Sequence, residues 1–132
     1  MNKPASEPLR TFGSRCCPAL AHRPFSATQA ETAAQRLELL AHPIRLTLLG
    51  VLCRSAGEVC VCDLEAAVPV KQPTVSHHLR LLREAGLVQV ERRGQWAHYR
   101  IDAAAMAALS SEVTDVLGAL HPKAETRKAR RP

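Results

Sequence analysis

Residues 72–83 read QPTVSHHLRLLR, EAGLV follows at 84–88, and ERRGQWAHYRI occupies 91–101. At 100° per residue, Val75, Leu79 and Leu82 fall within about 60° of one another on a helix. They form an apolar stripe, and Pro73, Ser76, His77, Arg80 and Glu84 point roughly the other way. The spacing predicts a helix over 72–85, stopped by Gly86. Val88 to Glu91 then alternates, Arg93-Gly94-Gln95 turns, and Ala97 to Ile101 returns, which is the pattern of a β-hairpin.

Outward from this stretch the chain reads as helices. Thr28 and Glu31 form a capping-box pattern, and Leu37 and Leu40 continue a first helix. Pro43 suits the first turn of a second, amphipathic through Ile44, Leu48, Leu49 and Leu52. Gly57 breaks it. A short third helix starts near Val61 and ends before Pro69. After the hairpin, Asp102 opens a last helix lined on one side by Met106, Leu109, Val113, Val116, Leu117 and Leu120. The fold class is therefore mainly α with a small β-hairpin, a winged helix-turn-helix. The helices at 61–68 and 72–85 form the pair and the hairpin forms the wing.

Composition and charge agree with one domain. The chain has 132 residues, 46% of them hydrophobic and only 3% aromatic, so Leu, Val and Ala must build the core. The net charge is +6. Residues 1–27 carry +3 and residues 123–132 carry +4, and within the domain residues 71–100 carry +4 against −2 for 28–70 and −3 for 101–122. A basic stripe between acidic flanks is the footprint of a polyanion site. No apolar run approaches the length of a membrane span, and no secretory signal is read at the N-terminus. The expectation is a cytoplasmic chain whose five cysteines stay reduced. The organisation read is an N-terminal arm, 1–27, with four prolines and Cys16-Cys17; a winged helix-turn-helix DNA-binding domain, 28–122; and a basic tail, 123–132.

The outward face of the 72–85 helix offers hydroxyl, imidazole and guanidinium groups, which contact phosphates and base edges of double-stranded DNA. Gln72 and Thr74 stand in its first turn, where such helices meet bases. Ser76, His77 and Arg80 follow. In the wing, Arg92, Arg93 and Gln95 are candidates for backbone contact. His78 flanks the apolar stripe and reads as a packed structural histidine.

These stretches resemble the ArsR/SmtB family of metal-sensing repressors. AHPIRLTLL at 41–49 resembles that family's second helix, and the resemblance covers about residues 29–120. It implies a homodimer, held here by helices 29–40 and 102–120, that binds operator DNA as the apo form and is released by its effector. One departure is Lys71, where the family often has a capping Ser.

Cys60 and Cys62 lie in EVCVCDL, 58–64, at the start of the third helix. Two thiols at i and i+2 diverge within a helix but converge at its entrance, and a helix N-terminus favours thiolate. CVCDL resembles the metal-binding segment of arsenical- and cadmium-responsive members. The simplest arsenical sensors have a further cysteine a few residues on, where this chain reads LEAAV. By resemblance, Cys16 and Cys17 of the arm join Cys60 or Cys62 of the partner subunit. Three thiolates suit As(III) or Sb(III), and four suit Cd(II), Pb(II) or Zn(II). The vicinal arm pair and the wing GQWAHYRI favour the arsenical; Cd(II) or Pb(II) is the alternative. Cys53, within LGVLCR, reads as a small core residue. The family's other metal site uses pairs on the last helix. Here Asp102 and His121 stand at its two ends with no His between, so no zinc site is expected there.

Three rivals remain. Cys17 and Arg23 match the C-x5-R spacing of phosphatases and arsenate reductases, but the loop PALAH lacks the glycines a phosphate cradle needs, and no other catalytic set appears. A thiol redox repressor would oxidise a cysteine pair, although a disulfide between the adjacent Cys16 and Cys17 is strained. A constitutive DNA-binding protein would leave the cysteines without a role.

Overall fold

The computed structural model describes residues 23–122. Cys16, Cys17 and the 123–132 tail lie outside the described residues. The elements run α1 (Ala27–Leu40), α2 (Pro43–Arg54), β1 (Val59–Cys60), α3 (Val61–Ala66), α4 (Gln72–Glu84), β2 (Val88–Arg93), β3 (Trp96–Ile101) and α5 (Ala103–Ala119). This is the expected winged helix-turn-helix, with one strand more than a hairpin. β1 pairs antiparallel with β3, giving a three-stranded sheet in the order β1-β3-β2.

Local chemistry explains most boundaries. α1 starts earlier than the Thr28/Glu31 pattern predicts. The box that forms is Ser26 with Gln29: Ser26 Oγ accepts from the Gln29 N–H at 3.1 Å, and Gln29 Oε1 accepts from the Ser26 N–H at 2.9 Å. The earlier of two tandem boxes adds backbone bonds such as Ala30 N–H to Ser26 O. His42 caps α2 through Nδ1, ahead of Pro43 at the first helical position. At the end of α4 the Gly86 N–H donates to Arg83 O and the Leu87 N–H to Leu82 O, with Gly86 at φ 78. That is a Schellman stop, and it needs glycine's left-handed backbone. Gly94, at φ 61, opens the two-residue turn between β2 and β3. Asp102 Oδ1 accepts from the Ala105 N–H and starts α5 as expected.

The core is aliphatic. Leu48, Leu52, Leu64, Val75, Leu79 and Leu82 are completely buried, and Leu87, Val88 and Leu109 nearly so. The stripe read on α4 is thus its inner face. Cys53 is a correction: it is exposed. On α2 it lies about 115° from the centre of the Ile44/Leu48/Leu49/Leu52 stripe. Apolar neighbours in sequence did not turn it inward. α5 is anchored by Leu109, while Leu117 and Leu120 remain 61% and 58% exposed. α1 and α5 frame an open groove of about 480 Å³ lined by Phe25, Thr32, Leu37, Val113 and Val116, with Arg36 paired to Glu112 at 3.0 Å. Among the described residues no helix is long and apolar enough to cross a membrane.

Candidate nucleic-acid interface and thiol pair

α4 lies across the core with its other side free. Gln72, Pro73, Thr74, Ser76, His77 and Arg80 are all exposed. The wing completes a surface beside them. Along β2, Val88, Val90 and Arg92 share one side of the sheet, and their partners across the ladder are Ile101, Tyr99 and Ala97. Val88 is buried and Arg92 exposed, so this side runs from the core out to the wing tip. There Arg92 joins Pro73, Ser76, His77, Arg80, Arg83 and Tyr99 around one groove of about 340 Å³. Sequence reading missed Arg83 and Tyr99. The period-two pattern of β3 would have placed Tyr99 on the helix side, and Arg83 follows Arg80 by three residues on α4.

Within the groove, Arg80 Nη2 donates to His77 Nδ1 at 3.2 Å. A neutral His77 then carries its proton on Nε2, free to donate outward. His78 faces the opposite way, 6% exposed, as read for a packed histidine. Its ring lies 4.2 Å from that of His42, and Arg45 Nη1 donates to its Nδ1 at 3.4 Å. Arg45 also donates to Leu39 O at 2.8 Å and Glu38 O at 2.7 Å, so one guanidinium ties the end of α1 to α4. Burial, then the charges of His42, Arg45 and His77, hold the His78 pKa below its ordinary value.

The other wing candidates stand apart from the groove. Gln95 is exposed at the tip. Arg93 alternates to the outer side of the sheet, where Nη2 meets Glu58 Oε2 at 2.7 Å and Glu91 Oε2 at 3.5 Å. Lys71 begins α4 with no side-chain cap.

Cys60 and Cys62 converge, with sulfurs 2.8 Å apart. Cys60 is at once the last residue of β1 and the extended N-cap of α3, at φ −63 and ψ 142. That non-helical residue brings two i, i+2 thiols to one side. The expected thiolate preference does not follow. The Cys62 thiol is pushed up, first by its hydrogen bond with Cys60, then by burial and by the charges of Cys60 and Asp63. α3 has only six residues, too few for a strong opposing dipole.

Both sulfurs suit a soft ion. A tetrahedral ion with metal–sulfur bonds of about 2.3 Å spans two sulfurs about 3.7 Å apart, a separation this pair reaches by rotation about its Cα–Cβ bonds. Cys62 is exposed and Cys60 half-buried, which leaves room. Among the described residues no three His, Cys, Asp or Glu side chains are grouped to hold a metal ion. The pair offers two donors and needs others.

Comparison with known proteins gives the frame for both sites. The family described as bacterial regulatory protein, arsR family, matches residues 42–90, from the α2 cap through β2. The chain is 45% identical over 67 residues to the arsenical resistance operon repressor of Escherichia coli strain K12, across 51% of this chain and 56% of that protein. The match therefore spans just over half of that relative's length. Identity to the transcriptional repressor SmtB homolog of Synechocystis sp. is 41% over 93 residues, 70% of this chain and 69% of that one. Among solved structures, the AntR antimony-specific transcriptional repressor superposes with a TM-score of 0.54 at 31% identity, over 81% of this chain and 97% of that one. With so much of the helix-turn-helix and wing held in common, the chain belongs to the arsR family of bacterial regulatory proteins.

Proposed function

We propose that the chain is a transcriptional repressor that binds operator DNA as a homodimer and is released when As(III) or Sb(III) engages its cysteine thiolates. The observation that carries this reading is the convergence of Cys60 and Cys62 at the entrance to α3, the helix that positions α4. The arsenical and antimony repressors among its relatives support the choice of ion.

In this reading α4 enters the major groove with Gln72, Thr74, Ser76 and His77 toward base edges, while Arg80, Arg83 and Arg92 hold phosphates. Gln95 meets the backbone from the wing tip. The α1/α5 groove and the exposed Leu117 and Leu120 form the self-association face. Cys16 and Cys17 of the arm join Cys60 or Cys62 to complete the site, since among the described residues no three donor side chains are grouped. A trivalent arsenical supplies three short covalent links to sulfur, and this chain supplies the sulfurs and the strain they pass on. The ion can weaken DNA binding only by preferring the DNA-incompetent state, a coupling of about 1–3 kcal/mol.

Fluorescence anisotropy of the reduced full chain on DNA from upstream of its own coding sequence, titrated with arsenite, tests the reading. Release near stoichiometric arsenite is expected. Binding that persists under arsenite and antimonite rejects the metalloid and brings in Cd(II) and Pb(II); no binding without effector rejects the repressor.

A further inference from the structure

Arg93 closes β2 beside the wing tip, where a basic residue is ordinarily taken as a phosphate contact. Its guanidinium instead lies on the outer side of the sheet between Glu58 and Glu91. Glu58 is drawn in, with its side chain only 21% exposed, so the 2.7 Å pair is partly shielded from water. Glu58 immediately precedes β1, and β1 is only Val59 and Cys60. Cys60 pairs across the ladder with His98, and His98 pairs with Glu91. The segment that carries one thiol is therefore joined to the wing twice, by the strand ladder and by Arg93.

The other end of the hairpin is held separately. Arg100 Nε donates to Gln89 Oε1 at 2.8 Å, and Gln89 Nε2 donates to Asp102 Oδ2 at 3.1 Å, beside the cap of α5. With its foot tied to α5, the hairpin answers a shift of β1 at its tip. An ion that draws Cys60 toward a further ligand pulls on β1, and a two-residue strand has few bonds with which to resist.

We propose that Arg93 is a positioning residue, a latch that fixes the wing against the strand carrying Cys60 and passes a change at the thiol pair to the DNA-facing tip. This rests on the reading of Cys60 and Cys62 as effector ligands. Arg93 in this assignment makes no phosphate contact, unlike its neighbour Arg92.

The chain contains its own reporter. Trp96 is the sole tryptophan, sits opposite Arg93 in the ladder and is 49% exposed. The experiment follows Trp96 emission and sulfur-to-arsenic ultraviolet absorption together as arsenite is added to the reduced full chain, for wild type, Glu58→Gln and Arg93→Gln. Operator affinity against salt is measured for wild type, Arg92→Gln and Arg93→Gln. In wild type the emission should move with the absorption. Both latch variants should keep the absorption and lose most of the emission change. Arg92→Gln should lower the salt slope by about 0.9, the value of one phosphate, and Arg93→Gln should leave it unchanged. A slope lowered equally by Arg93→Gln overturns the latch, as does wild-type absorption with unmoved emission. If arsenite gives no absorption, the effector reading fails, and the latch is decided without the ion. Linkage is reciprocal, so Glu58→Gln should then speed iodoacetamide alkylation of Cys60 and Cys62 by about threefold or more, read by peptide mapping. An unchanged rate overturns it.

Discussion

The groove between α4 and the wing and the thiol pair at the β1/α3 junction are built on different plans. The groove is drawn from one contiguous run, residues 73–99, and all its side chains are in place within one chain. The thiol pair brings two donors together, and among the described residues no third is grouped with them. Local periodicity specifies which side of α4 and of the hairpin faces the groove, and packing then brings the two together. Under the proposed reading, an ion that must recruit a donor from another segment to complete the site thereby favours one conformation over another.

The largest effect attacks what holds the groove up. Leu79→Ala, under the middle of α4 and fully buried, should cost about 2–5 kcal/mol in denaturant unfolding and take operator binding with it. A cost below 1 kcal/mol, roughly that of an exposed site, would mean that α4 is not supported as described. His77→Ala should instead separate the two regions. Operator affinity should fall by about tenfold or more, with unfolding stability within about 0.5 kcal/mol and arsenite absorption intact. Wild-type operator affinity would remove His77 from the reading face.

Cys60→Ser with Cys62→Ser should do the reverse. Operator affinity should stay within about twofold, while arsenite no longer releases the DNA, a loss of the expected coupling of about 1–3 kcal/mol. Full release by arsenite in that variant would move the site to Cys16, Cys17 and Cys53.

The smallest effect is on acidity. The folded chain holds the His78 pKa below the ordinary 6.5, so the unfolded chain takes up that proton at higher pH. The stabilisation is complete above about pH 6.5 and is lost as pH falls toward the folded value. Thermal midpoints should therefore drop between about pH 7 and about pH 5, and His78→Gln should flatten part of that drop. An identical pH profile in the variant would show that His78 titrates alike in both states.

What could be read from the sequence was what local rules write. The stripe of α4, the proline start of α2, the glycine stop at Gly86 and the aspartate cap of α5 each depend on a few neighbouring residues. β1 was not legible, because two residues carry no period. The Ser26 cap was hidden by a competing pattern two residues later. Cys53 misled because an apolar setting in sequence does not decide which side of a helix a residue takes. The convergence of Cys60 and Cys62 was legible from their place at a helix entrance. The raised pKa of Cys62 was not, because it comes first from the hydrogen bond between the two thiols. The Glu58–Arg93 pair joins residues 35 apart in sequence, and only the sheet brings them together.

The start of α4 has a consequence for how freely its side chains can change. Lys71 gives no side-chain cap, yet little is left wanting: Pro73 has no N–H to satisfy, and the Thr74 and Val75 N–H groups both donate to Lys71 O. The turn closes on backbone alone. The side chains of Lys71, Gln72 and Thr74 are thereby released from any duty in folding. Mutational drift at these three positions can change the chemistry exposed at the head of α4 without threatening the scaffold, and under the proposed reading new operators then lie within a few substitutions of the old one.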